Sequence, residues 1–252
     1  MKFLFTLIVS FNFLTLFSQQ IGFPSTESKS NQFEIGIIFS PELAYRHLGS
    51  HDTASFIPSF IKVRNKAEIP KPAYMFGVRI NYPFSEKFAL TTGIQFSSRG
   101  FQYKKADTYW PVLDTTGNYT GESTFAGTHK SIYRFNYFEI PLLVDYTFNK
   151  SKFSYSIGFG GLYSFLVAAT YIFSETDEKG EIHRYTYKQN DSYQKTSIGL
   201  LLQTGISYAL NEKSSLHVKP SFHYDLTSTF GHARVSEHLW NVGLGIGYFI
   251  TL

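Results

Sequence analysis

The chain has 252 residues, no cysteine and a formal net charge of +4, with no run of Lys or Arg behind it. The lack of thiols excludes disulfides, thiolate metal sites and a lipid-modified N-terminal cysteine, and the lack of a basic stripe excludes a nucleic-acid partner. Aromatic residues are 18% of the chain, with 26 Phe and 18 Tyr, while mean hydropathy is only -0.13; a membrane barrel combines the two, because aromatic girdles mark both interfaces and polar lumen residues dilute the apolar ones.

Residues 1–19 are predicted to be a secretory signal peptide. Lys2 supplies the basic start, Phe3 to Phe17 is an apolar core broken by Thr6, Ser10, Asn12 and Thr15, and Ser18 is the small residue before cleavage. The core is shorter than the ~20 residues a spanning helix needs. Residues 20–32 read as a polar leader, and residues 33–252 as one barrel domain.

Strict alternation marks the strands, since successive side chains leave opposite faces. The first runs from Phe33 to Tyr45, with Phe33, Ile35, Ile37 and Phe39 on one face and Glu34 and Glu42 on the other. Arg46 to Pro72 is expected to be irregular, because Pro58, Pro70 and Pro72 break any ladder. Tyr74 to Tyr82 and Phe88 to Tyr103 form a second and third strand around a tight turn, with Arg79, Gln95 and Arg99 on the polar face. Lys104 to Ser131 is expected to be a long loop. The fourth strand centres on Tyr137 to Phe148, YFEIPLLVDYTF: Phe138, Ile140, Leu142, Val144, Tyr146 and Phe148 oppose Glu139 and Asp145.

A turn at Asn149 to Lys152 leads to a glycine-rich fifth strand from Phe153. Ala168 to Lys195 reads as a projecting hairpin, with TDEKG as its turn. Ser197 to Leu210 and Ser215 to Thr227 follow, the latter placing His217, Lys219, His223 and Asp225 on one face. The last strand alternates Trp240, Val242, Leu244, Ile246, Tyr248, Ile250 and Leu252 with small residues. The expected fold is all-β: a closed antiparallel up-and-down transmembrane barrel of about eight strands, with short periplasmic turns, long extracellular loops and both termini on the periplasmic side. A soluble lipocalin-like barrel would carry the same alternation with its faces reversed. The aromatic load and the apolar strip on nearly every strand favour the membrane form.

The segment YFEIPLLVDY, residues 137–146, resembles the Y-[LF]-E-[IL]-P-[LF]-L-[LVI]-x-Y strand of PorT-like outer-membrane β-barrel proteins. The signal peptide, the strand number, the S-E-K and N-E-K turns and the glycine-rich fifth strand extend the resemblance over nearly the whole mature chain. It implies a cell outer-membrane location after export. The founding member of that family is implicated in type IX secretion, so the resemblance also points toward a secretion or envelope complex. It brings no catalytic residues and no cofactor.

The inward charges Glu34, Arg79, Arg99, Glu139, Asp145, Lys219 and Asp225 are candidate lumen ion pairs, because a buried charge needs a partner. An eight-stranded barrel is just wide enough for side chains to fill it, so a plugged lumen is expected over a small passive pore. Glu139-x-Pro141, and likewise Pro220, suit a bulge in the wall. His217, His223 and Asp225 share a face but spread over roughly 26 Å, too far for one metal site; only His223 and Asp225 can meet. No Ser-His-acid set is visible, so no enzyme is expected, a lipid-modifying barrel being the precedent otherwise. Tyr109, Trp110, Phe173 and Tyr185 are loop aromatics suited to docking a partner. Expected partners are outer-membrane lipid and lipopolysaccharide, the assembly machinery during biogenesis, and a secretion or envelope protein.

Overall fold

The computed structural model describes residues 33–50, 54, 56–149, 152–230 and 234–252. The predicted signal peptide (residues 1–19) and the polar leader (residues 20–32) lie outside them. Among the described residues the strands are β1 (Glu34–Gly49), β2 (Glu68–Ile69), β3 (Lys71–Pro83), β4 (Phe88–Tyr103), β5 (Ala106–Leu113), β6 (Tyr119–Thr147), β7 (Phe153–Thr176), β8 (Ile182–Lys188), β9 (Thr196–Asn211), β10 (Ser214–Asp225) and β11 (Ser236–Thr251), with one α-helix, α1 (Ile57–Ala67), and a single 3-10 turn at Asn190–Ser192.

Eight of these strands close a ring in the order β1-β3-β4-β6-β7-β9-β10-β11, each antiparallel to its neighbours. The closing seam pairs β1 with β11 from Glu34↔Thr251 to Gly49↔Ser236. The ring also settles which face is outside. Ile37, Phe39, Phe76, Phe138, Leu142 and Ile246 are exposed, while Arg79, Arg99, Glu139 and Asp145 are buried. An apolar exterior around a polar interior is the membrane arrangement and the reverse of a lipocalin.

Two expected loops prove to be structured. The segment after Tyr45 continues β1 to Gly49, then forms α1 and β2. Pro58 sits in the first turn of α1, where its missing N–H has no intrahelical partner to lose. Pro72 lies within β3 opposite Leu43, beyond the start of the β3–β4 ladder at Tyr74, so only one neighbour borders it. The segment from Lys104 to Ser131 is a hairpin: β5 pairs with the outer half of β6 around a turn closed by Asp114 Oδ1, which accepts the Thr116 and Asn118 N–H groups at 2.8 and 2.9 Å. Ala168 to Lys195 is the hairpin its sequence predicts, β8 folding back on β7.

The wall prolines do not make the expected bulges. Opposite Pro141 the β4–β6 ladder lapses between Thr92↔Leu142 and Gln95↔Glu139 and resumes in the same register. Opposite Pro220 the β9–β10 ladder does the same between Val218↔Ile206 and Ser221↔Gln203, and beside Pro41 so does β1–β11 between Phe39↔Ile246 and Glu42↔Gly243. A residue without an N–H removes a rung on one side, and here no extra residue is inserted to compensate. Thr92 partly closes the first gap by donating to the Pro141 carbonyl at 2.9 Å. The real bulge in this part of the wall lies higher, between Asn136 and Tyr137 on the β7 side.

Above the barrel β6 and β7 stay paired as far as Thr128↔Thr176. With β5 on one flank and β8 on the other they form a four-stranded sheet in the order β5-β6-β7-β8.

Candidate functional site: a filled lumen beneath a raised sheet

The lumen is packed in layers. In the upper layer Arg99 is fully buried. Its Nη2 lies 2.9 Å from Glu139 Oε1 and its Nη1 3.1 Å from Asp225 Oδ1, and its guanidinium lies over the Tyr137 ring, 4.3 Å from the centroid. His223 Nε2 meets Asp225 Oδ1 at 3.0 Å, as the strand spacing allows, and His223 Nδ1 lies 2.9 Å from Asn241 Oδ1. Asn241 Nδ2 in turn donates to Glu42 Oε2 at 2.6 Å. One arginine thus holds two carboxylates from two different strands.

The middle layer departs from the expected pairing. Among the described residues Arg79 reaches no carboxylate directly; it donates to Gln203 Oε1 at 2.8 Å and Gln95 Oε1 at 3.0 Å. The glutamines relay the charge: Gln95 Nε2 donates to Glu139 Oε2 at 2.7 Å and Gln203 Nε2 to Asp145 Oδ1 at 2.8 Å. Thr91 also donates to Asp145. Gly158 makes room for this carboxylate, since a Cβ there would lie 2.2 Å from Asp145 Oδ1.

In the lowest layer Glu34 and Lys219 are not ion-paired among the described residues, contrary to expectation. Glu34 accepts from Asn81 at 3.0 Å. Lys219 instead has its Nζ 5.9 Å from the Phe249 ring centroid. Phe249 is a lumen residue in an otherwise small-residue face, fully buried and stacked on His217 at 4.2 Å. It plugs the lower lumen, where an aromatic face accepts a cation in place of a carboxylate.

A roof covers the outer end. Phe101, Phe135, Tyr137, Ala169, Tyr193 and Leu239 form one buried apolar cluster. Beside it Arg64, from the last turn of α1, bonds Glu68 at 2.5 Å and Glu237 at 2.7 Å, and Arg46 bonds Glu68 at 2.6 Å. The Arg64 guanidinium also lies 5.5 Å from the Phe101 ring centroid. Burial works against the Arg64 charge, but the hydrogen bond to Glu68 and the Glu237 charge outweigh it and hold its pKa above the ordinary value. Burial pushes Glu237 up, with Arg64 opposing. Three of these four residues, Arg46, Arg64 and Glu68, lie in the segment Arg46 to Pro72 whose prolines read as irregular chain, which hides the cluster in the sequence. The signal present was the i, i+4 spacing of Arg64 and Glu68, which only a helix makes meaningful.

The aromatic candidates divide into two groups on the raised sheet. Phe173 and Tyr185 are cross-strand neighbours with ring centroids 6.4 Å apart, and Tyr133, Tyr171 and Tyr187 run beside them on the same face at 5.0 and 6.1 Å spacing. That face continues the lumen side upward, because Phe135 and Ala169 below it pack in the roof. Tyr109 lies on β5, against Phe125 at 5.9 Å, and Trp110, its neighbour in the strand, points to the opposite face. At the β7–β8 turn Asp177, Glu181 and His183 bring possible ligand atoms together. Asp177 Oδ1 there already accepts the Lys179 and Glu181 N–H groups at 2.9 and 2.8 Å, the work of a turn residue.

The fold resembles those of small outer-membrane barrels. Neisserial surface protein A (NspA) superposes with a TM-score of 0.42 at 14% identity, over 87% of this chain and 97% of that one. The attachment invasion locus protein Ail of Yersinia pestis gives 0.34 at 11% identity over 87% and 99%, and OprG from Pseudomonas aeruginosa gives 0.33 at 15% over 88% and 96%. No curated protein matches the sequence. The model of the outer membrane protein beta-barrel domain matches residues 9–231, from before the first strand to beyond the end of β10, and with an apolar exterior, a polar filled interior and a closed eight-stranded ring, the chain belongs to that family of the cell outer membrane.

Proposed function

We propose that the protein is a non-conducting scaffold in the outer membrane whose raised sheet docks a partner protein of the cell envelope. The observation that carries this reading is the continuation of β6 and β7 out of a barrel whose lumen is blocked at every level. A conduit needs a clear path; here Arg79, Arg99, Phe249 and the roof occupy it. The sheet offers what docking needs. Among the described residues β5 pairs only with β6 and β8 only with β7, so each leaves one edge of backbone donors and acceptors for an added strand. Aromatic rings at Tyr171, Phe173, Tyr185 and Tyr187 lie beside the β8 edge, where they supply contact area.

The partner in this reading is an envelope or secretion-complex protein, and membership of a type IX secretion complex is its narrower form. His223 and Asp225 then serve packing rather than catalysis, since Arg99 occupies Asp225 and the roof lies above both.

The test compares the full chain with two variants, one in which residues 106–128 and one in which residues 172–186 are replaced by a short Gly-Ser turn, each cross-linked in its own envelope. A partner cross-linked to the full chain and lost with one hairpin or the other is the expected result; recovery of type IX components identifies the narrower form. Planar bilayers containing the purified protein are expected to show no steady conductance. Stable single-channel steps overturn the scaffold reading, and an altered lipid A mass spectrum on deleting the protein overturns its non-enzymatic form.

A further inference from the structure

The outer face of the raised sheet carries charge of one sign. Cross-strand register sets Arg134, Thr170 and Lys188 in one row, Ile132, Ile172 and Thr186 in the next, and Lys130, Ser174 and Arg184 in a third. These rows face away from the barrel axis, because the alternate positions Phe135 and Ala169 are packed in the roof. No carboxylate lies in the three rows; the acid nearest along this face is Asp107, beside Thr128 one row higher. Among the described residues none of the four cations makes an ion pair, and Arg184 has only a long 3.5 Å contact to Ser174 Oγ. Ile172, in their midst, is 5% exposed although it points outward.

Height gives the patch its meaning. From Phe138 to Phe148 the outward face of β6 is continuously apolar. Ten residues at ~3.3 Å each, tilted by about 40°, cover roughly 25 Å, the height of the apolar band of an outer-membrane barrel. Phe138 therefore marks the outer edge of the hydrocarbon. Arg134 and its row lie about 10 Å farther out by the same arithmetic, at the depth of the lipid head groups, and Lys130 and Arg184 lie about 10 Å beyond that.

We infer that this face binds the phosphate groups of phosphorylated glycolipids in the outer leaflet. Four unpaired cations around a buried isoleucine, free of competing carboxylates, with Arg134 and Lys188 at head-group depth and Lys130 and Arg184 in the zone just above, complement phosphate groups presented from the side. The opposite face of the same sheet stays free for the protein partner, so the two interactions are independent.

The test places the full-length protein in phosphatidylcholine nanodiscs and titrates in lipid A, with bound lipid counted by native mass spectrometry. Diphosphorylated lipid A is expected to bind roughly tenfold or more tightly than the enzymatically dephosphorylated lipid. The variant K130Q/R134Q/R184Q/K188Q is expected to lose that preference while keeping the heat-modifiable gel mobility of a folded barrel. Excess inorganic phosphate is expected to leave the bound lipid in place. Equal binding of the two lipids by the wild-type protein overturns the inference even if the variant fails to fold. So does an undiminished preference in a folded variant, or displacement by inorganic phosphate, which would mark a site for free anions.

Discussion

At the residue scale, Arg99 carries more of the lumen than any other side chain, because Glu139 and Asp225 both depend on it. Replacing it with Met leaves two buried carboxylates without their cation, and removing one partner of a buried pair costs about 3–5 kcal/mol. Urea unfolding of R99M in lipid vesicles is expected to show a loss of this size, and an unchanged midpoint would contradict the packing role. Glu237 gives a pH-dependent counterpart outside the membrane band, on the extracellular side of Trp240. Its pKa is raised above the ordinary 4.5, burial being the main cause. Between 4.5 and the raised value the folded protein holds a proton that the unfolded chain has released, so this contribution to stability is lost as pH rises through that window. The fall in melting temperature from pH 4.5 to pH 7 is therefore expected to be smaller in E237Q than in the wild type.

At the element scale, strand faces were legible and the segments between strands were not. Phe138 to Phe148 alternates so strictly that its outward face follows from period alone, and Arg99, Glu139 and Asp225 were found as partners because alternation put all three inside. Gln95 and Gln203 stood on the same inward face but carry no charge, so a search for charged pairs passes over the relay they form. Phe249 was hidden by the glycines around it. α1 and the β5–β6 hairpin were hidden because prolines and glycines read as breakers, when Pro58 in fact begins a helix and the turn after Leu113 needs only Asp114 and a glycine. The wall itself is sensitive where it lacks rungs. Gly93 faces the gap opposite Pro141, and a Cβ there would lie 2.1 Å from the Val78 carbonyl oxygen. Overpacking of this kind costs roughly 1–3 kcal/mol, so G93A is expected to unfold at lower urea than wild type. P141A, which only adds an N–H at the gap, is expected to stay within about 0.5 kcal/mol of it. Equal midpoints for G93A and wild type would show that the wall yields there.

At the scale of the whole molecule, the asymmetry between the two ends of the barrel fixes its orientation. The turns at Pro83–Phe88 and Asn211–Ser214 are short, whereas the opposite end carries the roof, α1 and the raised sheet, which is the usual division between periplasm and exterior. Because the chain has no cysteine, single introduced thiols can map this without background. A membrane-impermeant maleimide added to intact cells is expected to label N118C, at the β5–β6 turn, and to leave E212C unlabelled until the outer membrane is opened. The reverse pattern would invert the whole arrangement.

The unbroken pairing of β6 with β7 has a mechanical consequence. Two neighbouring wall strands pass through the lipid boundary without a hinge between them, their ladder interrupted by a single bulge beside Tyr137. Still paired, they reach roughly 20 Å along the strand beyond Arg134, as far as Thr128↔Thr176. A sideways pull on the tip is then resisted as bending of a cantilever rooted in the seams with β4 and β9, instead of being absorbed by a slack tether. A bound partner would be held at constant height and azimuth above the cell surface, and tension on it would reach the barrel wall first at the upper ends of those two seams, Gln102↔Ile132 and Phe165↔Thr196.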